Sequence, residues 1–185
     1  GPYSGYVGEE PEAESLSAWG PLIGNTDVAA MIMLSNEVDR NGLDTNESGW
    51  VIAFLMECYA KGILTQKDLG GLEMTWGNAD SVREMLRRIA FREGIGDVMA
   101  EGVMRAARRL GGEAVNMAIH SKKGNTPRSH DHRLNWAEMF DTCVSNTGTI
   151  EADGVARAAL LGIPAITDPF SPLEVSSFIA QSKGS

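Results

Sequence analysis

Apolar side chains recur at helical spacing along much of this chain. In residues 28–38 they fall near one face, and residues 82–89 follow the i, i+3, i+4, i+7 pattern of an amphipathic helix. Residues 50–56 contain almost no polar side chain, which is typical of a helix buried on all sides. No segment alternates convincingly between apolar and polar residues, and no internal repeat is present. The pattern therefore predicts an all-α, multihelical fold.

Capping residues and glycines set the bounds of the predicted helices. The candidate N-caps are Asn25 or Thr26, Asp44 or Thr45, and Asn78 or Asp80. The predicted helices cover residues 14–19, 26–38, 45–62, 79–94, 97–110, 136–144 and 152–161, and a last one starts near residue 172. Residues 115–119 are expected to be extended, as is the lead-in (residues 1–13), which is rich in Gly, Pro, Tyr and Glu.

A polar loop over residues 122–132 predicts the domain boundary. We expect residues 1–124 to form a first helical domain with the lead-in. Residues 125–185 are then expected to form part of a second helical domain.

Composition narrows the function further. The 185 residues carry a net charge of −9, which argues against nucleic acid or an anionic membrane as the main partner. No apolar run reaches the ~18 residues of a membrane helix, and no signal peptide is visible. Two cysteines, Cys58 and Cys143, make no disulfide framework and fit a cytoplasmic protein. The chain does not begin with Met, so it is expected to be either a piece of something longer or a processed chain.

The most informative stretch for chemistry is residues 39–45, where Asp39 and Asp44 flank Gly42 between two predicted helices. One interpretation is that these residues only terminate and cap helices, with Gly42 ending one helix and Asp44 or Thr45 capping the next. The other is a binding turn, because two carboxylates beside a helix N-terminus can accept hydrogen bonds from an N–H-rich ring such as a pterin.

Two later segments are weaker candidates. His130 and His132 flank an acid, which suggests a metal or proton-transfer site, but no third ligand is identifiable and hydrogen-bonded loop histidines explain them as well. Residues 141–151 are rich in small hydroxyl side chains, and Gly148 permits close approach of a ligand. A helix end followed by a polar turn explains this segment equally well.

Taken in order, several short motifs resemble the tungsten-dependent aldehyde ferredoxin oxidoreductase family over most of residues 8–151. Each motif is short, but the ordered set is specific. The matching segments are residues 8–14, 36–45, 56–65, 70–72, 76–77, 92–97, 130–131 and 145–148.

The resemblance implies a cofactor and a set of site residues. The family binds tungsten, or sometimes molybdenum, through two pyranopterin dithiolenes beside a [4Fe–4S] cluster. A β-rich domain and two helical domains enclose that cofactor, and this chain corresponds to helical domain 2 and part of domain 3. Asp39, Gly42, Leu43 and Asp44 match the first pterin motif, and Glu14 matches an active-site glutamate near the metal.

The chain also departs from the family pattern. Glu151 stands where many members have a histidine near the metal, so the resemblance does not carry a histidine role to this position. Glu151, His130 and His132 are kept beside Glu14 as catalytic candidates. The cluster cysteines and the second pterin motif would lie outside residues 1–185, so no metal or cofactor is expected on this chain alone.

The implied activity is oxidation of aldehydes to carboxylic acids with ferredoxin as the electron acceptor. The expected partners are ferredoxin, an aldehyde or acyl substrate and the remaining domains of the parent enzyme, with a homodimer left open. Two alternatives stay open as well. One is reduction of an aromatic acyl-CoA thioester, as in benzoyl-CoA reductase, and the other is a cofactor-free helical interaction domain.

Overall fold

The computed structural model describes residues 2–129 together with residues 139, 142 and 143. Within these residues the regular structure is helical and contains no strand, which confirms the predicted fold class. The helices are α1 (Ala13–Trp19), α2 (Val28–Arg40), α3 (Thr45–Ala60), α4 (Ala79–Ala90), α5 (Ile95–Met99), α6 (Val103–Leu110) and α7 (Ala114–Met117), with a 3-10 turn at Pro21–Ile23. None of the helices in this part of the chain is long and apolar enough to cross a membrane.

The chain divides into two compact units, Gly1–Ser129 and His130–Ser185. Helices α1 to α7 belong to the first unit, together with the site candidates from Glu14 to Asp44. The predicted domain boundary at residues 124/125 stays a prediction. The helices predicted beyond residue 130 lie outside the described residues, apart from the helical positions 139, 142 and 143.

Helix α3 is the central helix of the first unit, as its apolar sequence predicts. Nine of its sixteen residues are buried, and it contacts α1, α2, α4, α6 and α7. Ile52, Leu55 and Met56 are fully buried, and each such side chain contributes about 1.5–3 kcal/mol through its removal from water. The fold is therefore organised around α3, and its N-terminal end lies where the candidate site begins.

The N-cap of α2 differs from the prediction. Asp27 caps this helix, because its carboxylate accepts hydrogen bonds from the N–H groups of Ala29 and Ala30 at 2.9 and 3.3 Å. Asn25 is buried and instead donates to the carbonyl of Trp19 at 2.9 Å. Its Oδ1 accepts from Asp27 N–H at 2.9 Å, before α2 begins, so neither end of the amide caps this helix.

Helix α4 and the helices that follow it are also shorter than predicted. Helix α4 is capped by Asn78 and buries its predicted apolar face, but it ends at Ala90, and Gly94 precedes α5 rather than ending α4. The single helix predicted over residues 97–110 is two helices, since Gly102 adopts a φ of 82° that an α-helix cannot contain. Residues 114–117 are helical, so the extended segment predicted from residue 115 begins only at Ala118.

Candidate functional site

The turn between α2 and α3, residues 39–44, combines a helix C-terminus with a helix N-terminus. Leu43 N–H donates to the carbonyl of Val38 at 3.1 Å, and Gly42 N–H donates to the carbonyl of Asp39 at 3.0 Å. This pair of bonds is the Schellman motif, which satisfies the last carbonyls of a helix. It requires a left-handed residue, and Gly42 supplies it with a φ of 66°. An added Cβ at Gly42 would meet no atom within 4 Å, so the outer face of the turn is open.

Asp44 directly precedes α3 and is its N-cap, one of the two residues predicted for this position. Its Oδ1 accepts a hydrogen bond from Glu47 N–H at 2.8 Å. Glu47 does not return the usual bond to the cap residue, because its Oε1 accepts from Thr126 N–H at 2.8 Å. Asn46 donates to the hydroxyl of Thr126 at 3.2 Å. These two bonds fasten the buried Thr126 to the first turn of α3 and bring the nearby Arg128 to the site.

Four of the five resemblance-derived site residues in the first unit line one cleft of about 420 Å³. These four residues are Glu14, Asp39, Leu43 and Asp44. They come from α1, the end of α2 and the start of α3, so the fold brings together positions that are up to 30 residues apart. Gly42 is exposed in the same turn but does not line the cleft.

The cleft is strongly acidic. Six of its thirteen lining residues are Asp or Glu, and the lining cation is Arg128. Among the described residues no three His, Cys, Asp or Glu side chains converge closely enough to hold a metal ion. The carboxylates are therefore spread around the cleft as separate hydrogen-bond acceptors. Such a surface suits a ligand with several N–H donors better than an anion or a bare metal ion.

The lead-in is fixed to α2 by contacts that the sequence pattern did not predict. Asn36 of α2 accepts from Glu9 N–H at 2.6 Å and donates to the Glu9 carbonyl at 3.2 Å. Arg40 donates to the Val7 carbonyl at 2.9 Å and stacks 4.9 Å from the ring centroid of Tyr6. The lead-in has no regular structure over residues 6–12. The one signal in the sequence was a buried-face position of α2 occupied by Asn, which needs a partner.

The remaining site candidates, His130, His132 and Glu151, lie outside the described residues. Of the two cysteines, Cys143 is exposed and free, and Cys58 is buried in the core. Burial raises the pKa of the Cys58 thiol to about 11, which makes it a structural apolar side chain rather than a nucleophile.

Comparison with known proteins matches this chain to aldehyde ferredoxin oxidoreductases. The sequence model described as aldehyde ferredoxin oxidoreductase, domains 2 and 3, matches residues 1–183. A tungsten-containing aldehyde ferredoxin oxidoreductase of Pyrococcus abyssi is 36% identical over 165 residues, which is 87% of this chain and 27% of that protein. The WOR-like subunit of an aliphatic sulfonate oxidoreductase of Pyrococcus furiosus is 36% identical over 166 residues, covering 86% of this chain and 26% of its own length.

The fold also has a solved counterpart. The BamBC active-site complex of benzoyl coenzyme A reductase aligns with a TM-score of 0.67 and 24% identity, over 80% of this chain and 22% of that one. At this identity the likeness is one of fold. The chain thus spans about a quarter of the length of the relatives that it matches.

Proposed function

The chain belongs to the aldehyde ferredoxin oxidoreductase family, and we propose that it forms one helical wall of the cofactor cleft in a larger tungstopterin oxidoreductase. The observation that carries the proposal is the grouping of Glu14, Asp39, Leu43 and Asp44 around one cleft. The family resemblance selected these residues from their order in the sequence alone. The fold supports the proposal because it places them on a common surface.

The residues of the turn fit one pterin of a bis-pyranopterin. Within the described residues the Asp39 carboxylate makes no hydrogen bond or ion pair, so both of its oxygens can accept from a ring N–H. Asp44 uses Oδ1 for its cap and keeps Oδ2 for a ligand. Gly42 leaves the outer face of the turn open, and Leu43 adds an apolar contact at the cleft wall.

The proposed reaction is oxidation of an aldehyde to a carboxylic acid, with ferredoxin as electron acceptor. When bound, the tungsten bis-pyranopterin and the [4Fe–4S] cluster would supply the redox chemistry. Glu14 lies on the cleft and is proposed to orient or deprotonate water or substrate. His130, His132 and Glu151 remain further candidates for proton transfer. The cluster, the second pterin and ferredoxin would be bound by the rest of the parent enzyme.

Reductive chemistry on an aromatic acyl-CoA thioester stays a prediction from the sequence, because the likeness to benzoyl-CoA reductase is one of fold. A cofactor-free interaction domain is the weaker alternative, since the family is a family of oxidoreductases.

The pterin assignment is tested with Asp39→Ala in the full-length enzyme. Losing a charge-assisted acceptor costs about 1.5–3 kcal/mol of binding, so we expect pterin content to fall by roughly tenfold or more. The matched control is Asp80→Ala, which removes an exposed acid from the first turn of α4, outside the cleft. Full pterin loading of Asp39→Ala would contradict the assignment.

The role of Glu14 is tested with Glu14→Gln in the same enzyme. Removing a general acid–base group lowers turnover by about 100-fold or more, while tungsten loading should change little. Glu10→Gln is the control, because Glu10 also lines the cleft but matches no active-site position. Equal turnover in wild type and Glu14→Gln would exclude the proposed role.

A further inference from the structure

The strongest unexplained feature is the contact between Asn36 and the lead-in. Asn36 is only 6% exposed, and every polar atom of its amide is used. Its Oδ1 accepts from Glu9 N–H, and its Nδ2 donates to the carbonyls of Glu9 and Ile32 at 3.2 and 2.9 Å. The bond to Ile32, one turn earlier in α2, fixes the orientation of the side chain. The amide of Asn36 thus accepts from the N–H of Glu9 and donates to its carbonyl, as the backbone of a paired strand would.

Gly8 makes this pairing possible. A Cβ added at Gly8 would overlap the side-chain amide of Asn36. The backbone of Gly8 and Glu9 therefore lies directly against Asn36. Gly8 does not have a positive φ, so the need for glycine here comes from this close approach and not from the backbone conformation.

The contact lies at the edge of the acidic cleft. Asn36 and Asp39 are three residues apart on α2 and therefore neighbours on its surface. Together with Gly8, Glu9 and Arg40 they border one depression, and Glu9 and Asp39 both line the adjoining cleft. From Glu9 the lead-in continues along the cleft to Glu14 in α1. The pairing at Glu9 therefore determines where this acidic stretch lies relative to the 39–44 turn.

The acidic residues around the cleft suggest a role for the contact between Asn36 and Glu9. The lead-in contributes Glu9, Glu10, Glu12 and Glu14 to the cleft, and the 39–44 turn contributes Asp39 and Asp44, so these six acids outnumber the lining cation, Arg128. Like charges across a cleft repel one another, and the repulsion extends over about 10 Å at 0.1 M salt. A neutral amide pairing holds the two acidic sides together without adding charge to the cleft.

We propose that Asn36 is a positioning residue that holds the acidic lead-in against the 39–44 turn and thereby sets how tightly the cleft keeps a pterin-class ligand. The inference rests on the proposed function, because the ligand is the pterin assigned to this cleft. Without the pairing, Arg40 still holds Val7 and Tyr6, but repulsion moves residues 9–12 away from Asp39, and the carboxylates no longer converge on the N–H groups of the ring.

The test compares pterin retention in variants of the full-length enzyme. Asn36→Ala removes the pairing from α2, and Gly8→Ala displaces it from the lead-in side. We expect each variant to lose pterin about tenfold faster than wild type after desalting into 0.1 M salt, a change of about 1.4 kcal/mol. Because Asn36→Ala also removes the atoms that a Cβ at residue 8 would overlap, the double variant should lose pterin no faster than Asn36→Ala.

Two readouts separate positioning from a loss of stability. At 1 M salt the repulsion is screened to about 3 Å, so retention by Asn36→Ala should partly recover while wild type changes little. Hydrogen exchange at residues 8–14 should accelerate in both single variants. The matched control is Asn25→Ala, since Asn25 is equally buried at 6% exposure and also bonds a backbone carbonyl, but lies off the cleft.

The outcomes distinguish this inference from the proposed function. Wild-type retention in Asn36→Ala and Gly8→Ala, additive losses in the double variant, or equal loss in Asn25→Ala would each overturn the positioning role and leave the pterin site intact. Absence of pterin from the wild-type enzyme would overturn the proposed function and this inference together. If Asn36→Ala does not fold, Gly8→Ala alone decides, because it leaves the sequence of α2 unchanged.

Discussion

At the scale of single residues, Asp44 is the position where structural and functional explanations meet. Its Oδ1 caps α3 through the N–H of Glu47, and the same side chain lines the acidic cleft. Both explanations account for an aspartate at this position, so its presence in the sequence could not decide between them. The two roles need different chemistry, however, because capping needs only an oxygen acceptor and the proposed ligand contact needs a full carboxylate.

Asp44→Asn should therefore separate the two roles. Asn is as good an N-cap as Asp, so the free energy of unfolding should stay within about 0.5 kcal/mol of wild type. The amide presents an N–H₂ group where the second oxygen stood, so pterin content of the full-length enzyme should fall. Asp44→Ala should lose both the pterin and about 1 kcal/mol of stability. Denaturant unfolding and pterin analysis of the two variants measure both effects. Normal pterin content in Asp44→Asn would indicate that Asp44 serves only as the cap of α3.

At the scale of helices, the spacing of the cleft walls depends on a close contact between α1 and α3. Gly49 in α3 faces Ala18 in α1, and an added Cβ at Gly49 would lie 2.8 Å from the Cβ of Ala18. Glu14 is one turn before Ala18, and Thr45 is one turn before Gly49, so both lie on the cleft side of this contact. Two small residues thus let α1 approach the start of α3 closely enough for Glu14 to share a cleft with Asp44.

Gly49→Ala should push the two helices apart. Overpacking costs about 1–3 kcal/mol, and the better helix propensity of Ala returns up to about 1 kcal/mol, so a net loss of about 1 kcal/mol is expected. The double variant Gly49→Ala with Ala18→Gly moves the methyl group to the other helix and should recover part of this loss in thermal unfolding. Additive losses in the double variant would show that the two positions are not in contact.

The helices themselves were largely predictable, and the contacts between them were not. The period of apolar residues located α2 and α4, the apolar run at residues 50–56 located α3, and local caps such as Asp44 and Asn78 set the first residues of α3 and α4. Errors arose where a glycine conformation or a distant partner decided the outcome. Gly102 has a φ of 82° and splits one predicted helix, and Asn25 bonds Trp19 instead of capping α2. The Asn36–Glu9 pairing joins residues 27 positions apart, and no local pattern encodes it.

Helix α4 carries an ion-pair network that should make stability depend on pH. Glu84 bonds Arg87 at 3.0 Å and Arg88 at 2.8 Å, and these bonds lower the pKa of the Glu84 carboxyl to about 2. The unfolded chain has the ordinary value near 4.3, so it binds more protons between pH 4.5 and 2. The network therefore stabilises the fold fully above pH 4.5, and the contribution is lost as pH falls toward 2.

Glu84→Gln should flatten the fall in stability between pH 4.5 and 2. Because about a third of the Glu84 side chain is exposed, solvent screening limits the effect to less than about 1 kcal/mol. Denaturant unfolding at several pH values measures it. Glu73→Gln is a suitable control, since Glu73 is exposed and forms no ion pair within the described residues. Parallel pH profiles for wild type and Glu84→Gln would contradict the assignment.

At the scale of the whole molecule, the proposed function involves the remaining domains of a parent enzyme as well as this chain. The chain spans about a quarter of the relatives that it matches, and the described residues contain no group of side chains able to hold a metal. The family was still recognisable in the sequence, because several short motifs occur in the order that the family has. Each motif alone is too short to be specific. The order also grouped Glu14 with the 39–44 turn, which the fold then placed on one cleft.

Tungsten content should therefore follow pterin content in every variant of the cleft. In the proposed enzyme the metal is held by the pterin dithiolenes, and the cleft carboxylates bind the pterin ring instead of the metal. Asp39→Ala should then lose tungsten and pterin in equal proportion, and the isolated 185-residue chain should retain less than about 0.1 tungsten per chain after incubation with tungstate. Elemental analysis beside pterin analysis measures both. Stoichiometric tungsten on the isolated chain would mean that protein side chains ligate the metal directly, and the cleft would then have to be reassigned as a metal site.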